Sequence, residues 1–173
     1  WQDFIRTRIF EVSGMKTSTI TDGPHPKTGV SHGYINNDGN WKEQDYGEVP
    51  TFAAAGNGGV WSSVNELAKY EIALQQHKFI SNTTLKDSRT IKNWPNWQDT
   101  TPPFIGWSWF IDKTSDGLKT VGHTGSQGGF LSNYVTIPEK DITFIILCNT
   151  PRNVNEFTEF ITEWLAKNNW LEE

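Results

Sequence analysis

An α+β fold, an antiparallel sheet flanked by helices, is what three features of this 173-residue sequence predict. The middle of the chain carries a capped amphipathic helix, the stretch after Phe104 reads as strands separated by short turns, and the C-terminus returns to helical periodicity. In chain order, Trp1, Phe4, Ile5, Ile9 and Val12 fall near helical spacing, and Gly14 stands where a helix stops. Residues 21 to 50 lose periodicity. Asp22-Gly23-Pro24, Asn37-Asp38-Gly39-Asn40 and Pro50 mark a long loop with only short strands, one of them at 33 to 36.

Ser63-Val64-Asn65-Glu66 has the capping-box pattern, and Val64, Leu67, Ala68, Ile72 and Leu74 supply an apolar face, so a helix is expected over 64 to 76. Ser81-Asn82 caps a further short helix expected to run to Ile91, and Trp94-Pro95 and Pro102-Pro103 then break the chain. Strands are expected at 106 to 111, 119 to 122, 130 to 137 and 142 to 149, with Ser115-Asp116-Gly117 and Pro138-Glu139-Lys140-Asp141 as hairpin turns. The last of these is apolar almost throughout, which predicts a central strand covered on both faces. Asn153 and Glu156 start a C-terminal helix whose Val154, Phe157, Phe160, Ile161, Trp164 and Leu165 are expected to pack on the sheet.

Nine Trp and ten Phe give enough apolar material for a core despite a mean hydropathy of −0.56. The length predicts a single domain. A net charge of −5 without a basic stripe argues against nucleic acid or an anionic lipid surface. The apolar run from Ile142 to Cys148 is far short of the ~20 residues of a membrane helix, so no membrane segment is expected. The single cysteine, Cys148, lies in that run and reads as a buried packing thiol, which excludes an internal disulfide and a thiolate metal cluster. The chain starts at Trp1 without an initiator methionine and enters a helical pattern at once, which reads as a cut start.

The stretch Gly122-His123-Thr124-Gly125-Ser126-Gln127-Gly128-Gly129-Phe130 lies between the end of one expected strand and the start of the next. Its glycines allow close backbone approach to a ligand and leave N–H groups for an oxyanion, but the spacing alone equally fits a Gly-rich turn with an incidental His. His25, His32 and His77 lack metal-ligand spacing. Trp94, Trp97, Trp107 and Trp109 read as packing residues or as a sugar-stacking face.

The nonapeptide from Gly122, followed by Tyr134-Val135-Thr136-Ile137-Pro138-Glu139 and the run from Phe144 to Asn149, resembles the last active-site strand and its partner in the class C β-lactamase, DD-peptidase and esterase superfamily. Ile9-Phe10-Glu11-Val12-Ser13-Gly14-Met15-Lys16-Thr17 looks like that family's segment that usually reads Ile-Phe-x-Pro-Leu-Gly-Met, and 56 to 69 looks like its Gly-Gly-x-x-Ser-x-x-x-Asp-Leu helix entry. The resemblance implies the C-terminal part of a serine β-lactamase-like hydrolase and of a β-lactamase/transpeptidase-like fold, residues 1–173 being one incomplete domain without the nucleophile-bearing segment. It implies acyl-enzyme hydrolysis of a β-lactam, a D-Ala peptide or an ester, with no metal or organic cofactor, a small-molecule or peptidoglycan-like substrate, and a periplasmic or secreted location. It also implies roles: His123 as the basic residue of the third motif, Thr124 and Gly125 as the substrate-facing edge, and the Ser126 N–H as one oxyanion donor.

Ser13-Gly14-Met15-Lys16 and Tyr34-Ile35-Asn36 match the family's first two motif patterns in order. Both read as coincidences. Ser-x-x-Lys needs both side chains one helical turn apart, whereas Gly14 ends the helix at Ser13, and Tyr34 follows too soon. A chain lacking its N-terminal part exposes a sheet edge, which predicts a homodimer through that edge or aggregation. The competing reading is a non-catalytic carbohydrate- or peptide-binding module resting on the tryptophans.

Overall fold

The first helix is built in three pieces, α1 (Gln2–Ile5), a π-helical turn (Arg6–Phe10) and α2 (Glu11–Ser13), and Gly14 closes it at φ 73°. A π turn inserts one residue into the 3.6-residue repeat and rotates the face that follows. Phe10 is therefore buried with Met15 and Ile20, with Ile5 and Ile9 against them, while Trp1, Phe4 and Val12 of the expected stripe are exposed. The computed structural model describes residues 1–21, 26, 28–43, 58–94, 100–127, 129–150 and 152–171. The turn at Asp22-Gly23-Pro24, His25, Pro50, Gly56, Pro95, Trp97 and Gly128 lie outside the described residues.

The chain folds as two compact units. The first comprises Trp1–Phe79, Gly125–Ser132 and Leu147–Arg152. In it β1 (Thr19–Ile20) pairs antiparallel with β4 (Val60–Trp61), and β2 (Tyr34–Asn37) with β3 (Asn40–Glu43) across the Asp38-Gly39 turn. α3 (Val64–Gln75) starts where its cap predicts, with the Ser63 Oγ accepting the Glu66 N–H at 3.3 Å. The return half of the capping box is not made, because the Glu66 carboxylate accepts from the Thr17 N–H at 2.9 Å and from Lys69 instead. The buried face of α3 is Glu66, Glu71, Ala73 and Leu74 with Leu67 and Tyr70, while Val64, Ala68 and Ile72 are exposed, against the apolar face expected.

The second unit comprises Ile80–Thr124, Asn133–Ile146 and Asn153–Glu173. α4 (Asn82–Ser88) has the Ser81 cap, its Oγ accepting from the Thr84 N–H at 3.1 Å, and stops short of Ile91. The unit also holds β5 (Phe104–Ile105), β6 (Phe110–Lys113) and most of β7 (Lys119–Gln127), β8 (Phe130–Ile137) and β9 (Ile142–Cys148), which follow one another in that order as a five-stranded meander; residues 125–127, 130–132 and 147–148 of these strands are counted with the first unit. The single strand expected over 106 to 111 is not formed: residues 106 to 109 are the turn between β5 and β6, and only 110 and 111 are strand. Gly106 donates to the Trp109 carbonyl at 2.8 Å, and Ser108 takes φ 59°, so the chain turns between them. α5 (Val154–Lys167) covers the sheet, with Leu165 and half-buried Ile161, and Leu171 beyond the helix end, packed with Ile137 and Ile142.

Two expectations about this sheet are corrected. Among the described residues β9 is an edge strand, paired with β8 alone, and its residues, Cys148 included, are half-buried or exposed instead of buried. Continuous apolarity reports that both faces want cover and carries no information about the edge. On α5, Val154 and Leu165 face the core, but Phe157, Phe160 and Trp164 are exposed, forming an apolar flank beside the sheet-facing stripe. The architecture is α+β, an antiparallel sheet flanked by helices, as the sequence predicts.

Candidate active site on strand β7

Val121 is fully buried and anchors β7 just before the motif. Gly122 lies opposite Phe110 in the β6–β7 ladder. A Cβ on Gly122 would run into the Tyr134 carbonyl and meet Val135 Cγ2 at 3.3 Å, so glycine is what lets β8 come this close. The ladder with β6 stops at that pair, whereas β7 continues to Gln127. His123, Thr124, Gly125 and Ser126 are therefore extended strand, not the turn that their glycine content suggested. Past Gly122, the β7 edge facing away from β8 is released from β6.

His123 is exposed, and its Nδ1 lies 2.6 Å from the Thr124 carbonyl oxygen. A carbonyl carries no proton, so Nδ1 is the donor, and the neutral ring keeps its lone pair on Nε2. The imidazole stacks on Phe110 at 4.9 Å between centroids and 25° between planes, which fixes the ring's orientation. Thr124 and Ser126 are exposed. At Gly125 a Cβ would sit 2.5 Å from the Ser132 Oγ, so a side chain here requires the Ser132 hydroxyl to move. The four residues singled out from sequence are thus consecutive on one strand. Phe110 is the neighbour that the motif did not name, although a hairpin centred on Asp116 registers it against Gly122.

The motif look-alikes do not form a catalytic pair. Ser13 is the last helical residue, Gly14 is left-handed, and Lys16 is exposed beyond the helix. The Ser13 Oγ is buried and has no hydrogen-bond partner among the described residues, so no base is in position to take its proton. Asn36 is a strand residue of β2 paired with Trp41, its Oδ1 accepting from the Gly39 N–H of the adjoining turn at 2.7 Å, and Tyr34 pairs with Glu43 in the hairpin. His32 lies 3.2 Å from the Glu43 carboxylate, and His77 is a left-handed residue after α3. Among the described residues no three His, Cys, Asp or Glu side chains gather as a metal-binding group. None of the described helices is long and apolar enough to cross a membrane.

Of the tryptophans, Trp109 packs between Arg89, 5.4 Å above its ring, and Tyr134 at 5.7 Å. Trp107 is 54% exposed.

A family model described as Beta-lactamase matches residues 1–166. No curated protein sequence matches the chain. Among solved structures, a penicillin-binding protein from Bacillus halodurans superposes with TM-score 0.76 at 18% identity, over 94% of this chain and 49% of that one. The octameric penicillin-binding protein homologue from Pyrococcus abyssi gives TM-score 0.77 at 24% identity, over 99% and 39%. The D-amino acid amidase from Ochrobactrum anthropi gives TM-score 0.68 at 19% identity, over 97% and 54%. At these identities the likeness is one of fold. The chain spans about half the length of the structures it matches.

Proposed function

The chain belongs to the beta-lactamase family, and from that premise we propose that it carries the third active-site segment of a serine hydrolase. The parent enzyme forms an acyl-enzyme on a β-lactam, a D-Ala peptide or an ester. The nucleophile comes from polypeptide other than these residues, so residues 1–173, one incomplete domain, are inactive alone. His123 offers Nε2 to the reacting groups as proton acceptor or, once protonated, as donor. Thr124 and Gly125 line the acyl group, and the Ser126 N–H donates to the developing oxyanion.

The observation that carries this reading is the release of β7 from β6 beyond Gly122. An open strand edge offers backbone N–H and C=O groups that an amide-bearing substrate can pair with as an added strand. Gly125 puts no side chain of its own between the strand and a substrate. The names of the structural neighbours, penicillin-binding proteins and a D-amino acid amidase, favour an amide or lactam over a simple ester. No cofactor is required by this chemistry, and a periplasmic or secreted location follows from the same family resemblance. In the isolated chain, the open edge of β9 and the exposed flank of α5 support a homodimer.

The test compares the full-length parent with this chain, each with and without His123→Ala, using nitrocefin, p-nitrophenyl acetate and a D-amino acid anilide. The parent is expected to turn over at least one reporter, to lose roughly 10²–10⁴-fold in the variant, and the chain alone to be silent. A fluorophosphonate probe that labels this chain, and stops labelling it in Ser13→Ala, would overturn the assignment of the nucleophile to other polypeptide.

A further inference from the structure

A hydrogen-bond donor that serves an oxyanion has to be in place before the charge develops, because a donor that must first be reoriented loses part of the interaction to reorganisation. The Ser126 N–H stands on a stretch of β7 where such restraint is scarce. The ladder with β6 ends at Gly122, and from there to Gln127 the described sheet neighbour of β7 is β8. β8 itself begins at Phe130, so the two strands form a ribbon end that turns over through Gly129 at φ 87°. A two-stranded ribbon standing by itself is marginally stable in water.

That end is gripped by Trp61. The indole meets the Phe130 ring edge to face, 5.4 Å between centroids at 81°, and Phe130 is the first residue of β8. Trp61, Ser126 and Phe130 all belong to the first compact unit. The indole is fixed in turn, its Nε1–H donating to the Thr21 Oγ1 at 2.9 Å. Its backbone lies in β4, opposite Thr19 of β1 in a ladder only two pairs long. So short a ladder needs support, and it is fastened at both ends. At one end the Thr21 N–H donates to the Gly59 carbonyl at 2.9 Å, where Gly59 holds φ 84° and a Cβ would run into the Thr21 carbonyl. At the other end the Ser18 and Ser62 hydroxyls share a hydrogen bond at 2.9 Å, and the Glu66 carboxylate of α3 accepts from the Thr17 N–H at 2.9 Å. A braced support thus runs from α3 through β1 and β4 to a ring that touches the ribbon end.

We propose that Trp61 is a positioning residue: through Phe130 it holds the end of the β7–β8 ribbon so that the Ser126 N–H keeps one direction as the oxyanion develops. The proposal rests on the oxyanion role proposed above for Ser126 and adds what keeps that donor still. Three residues separate Ser126 from Phe130, so motion of the Phe130 ring and its backbone is passed to the donor over a short path. An edge-to-face pair has a preferred geometry and resists the sliding of one ring across the other, which aliphatic packing permits.

Two measurements separate this proposal from the hydrolase reading beneath it. In the ¹⁵N-labelled chain, backbone relaxation gives order parameters for Gly125, Ser126 and Gly129 without any catalysis. At Ser126 the expected value is ~0.85 in the wild type, falling towards ~0.6 in Trp61→Leu, with α4 and α5 unchanged. Trp61→Phe, which keeps an aromatic edge for Phe130, should restore most of the order. Thr21→Val, which removes the hydroxyl that fixes the indole, should fall between. In the full-length parent, with nitrocefin as substrate, Trp61→Leu should lower kcat by roughly 10–10²-fold and change KM far less, because the donor engages most strongly in the transition state. Trp61→Leu and Phe130→Leu should not add: the double variant should lose no more than the worse single one. Unaltered Ser126 order in the folded Trp61→Leu chain overturns the proposal, as does a parent variant whose KM rises while kcat is kept. If Trp61→Leu fails to fold, Thr21→Val and Phe130→Leu carry the same comparison. A wild-type parent that turns over no reporter speaks against the hydrolase reading, and the relaxation result then decides whether Trp61 holds the ribbon.

Discussion

Gly125 illustrates how a single hydrogen atom decides local structure. With a Cβ placed 2.5 Å from the Ser132 Oγ, Gly125→Ala must push β7 and β8 apart or drive Ser132 off its rotamer, at a cost of about 1–3 kcal/mol. In Ser132→Ala the nearest remaining atom would be the Ser132 Cβ at 3.9 Å, an ordinary contact. Urea unfolding of both single variants and the double variant should therefore show the second substitution rescuing the first, a coupling that independent sites would not give. Glu66 makes a different local point. Its hydrogen bond from Lys69, and then that from the Thr17 N–H, hold its carboxyl below the ordinary value of 4.5 against the opposing effect of burial. A depressed folded pKa contributes stability that is complete above the unfolded value and is lost as pH falls through the folded one. Glu66→Gln is expected to cost about 1–3 kcal/mol at neutral pH and to flatten the acid side of the stability profile; equal slopes below pH ~4.5 in both proteins would refute this.

Elements differ in how openly the sequence declares them. β8 spans the residues expected of it because turns bound it on both sides, and α3 begins where Ser63 caps it. Ser63→Ala should remove about 1 kcal/mol, read as a lower thermal midpoint with an unchanged far-UV spectrum. The buried face of α3 is not legible, since Glu66 goes inward through a partner, the Thr17 N–H, that lies far along the chain and that no helical wheel displays. The split between β5 and β6 is hidden for a similar reason: a serine, not a glycine, holds the left-handed turn position. At the candidate site the identities of His123 to Ser126 are legible as a motif. Their strand geometry is not, because the release of β7 depends on where its partner β6 happens to begin.

At the scale of the whole chain, the described residues leave a sheet edge and a helical flank of apolar surface exposed. β9 presents Ile142–Cys148 at the sheet edge with no Pro and no charged residue inside it to discourage pairing. Phe157, Phe160 and Trp164 add an exposed helical flank. The isolated chain is expected to be dimeric by light scattering, and Leu147→Lys, at a residue already 41% exposed, should yield monomer without lowering the melting temperature. A monomeric wild type would count against the edge as a pairing surface.

The position of Cys148 offers a way to read the geometry of such pairing. It is the chain's single cysteine, half-exposed at the last residue of β9, so a nitroxide spin label attaches there without background substitutions. Two copies paired antiparallel about Ile145 would hold their labels at opposite ends of the ladder, about 20 Å apart at ~3.4 Å per residue. A parallel pairing in register would bring the labels side by side. One pulsed electron-spin distance therefore separates a two-fold dimer from a stack of strands that can grow without closing.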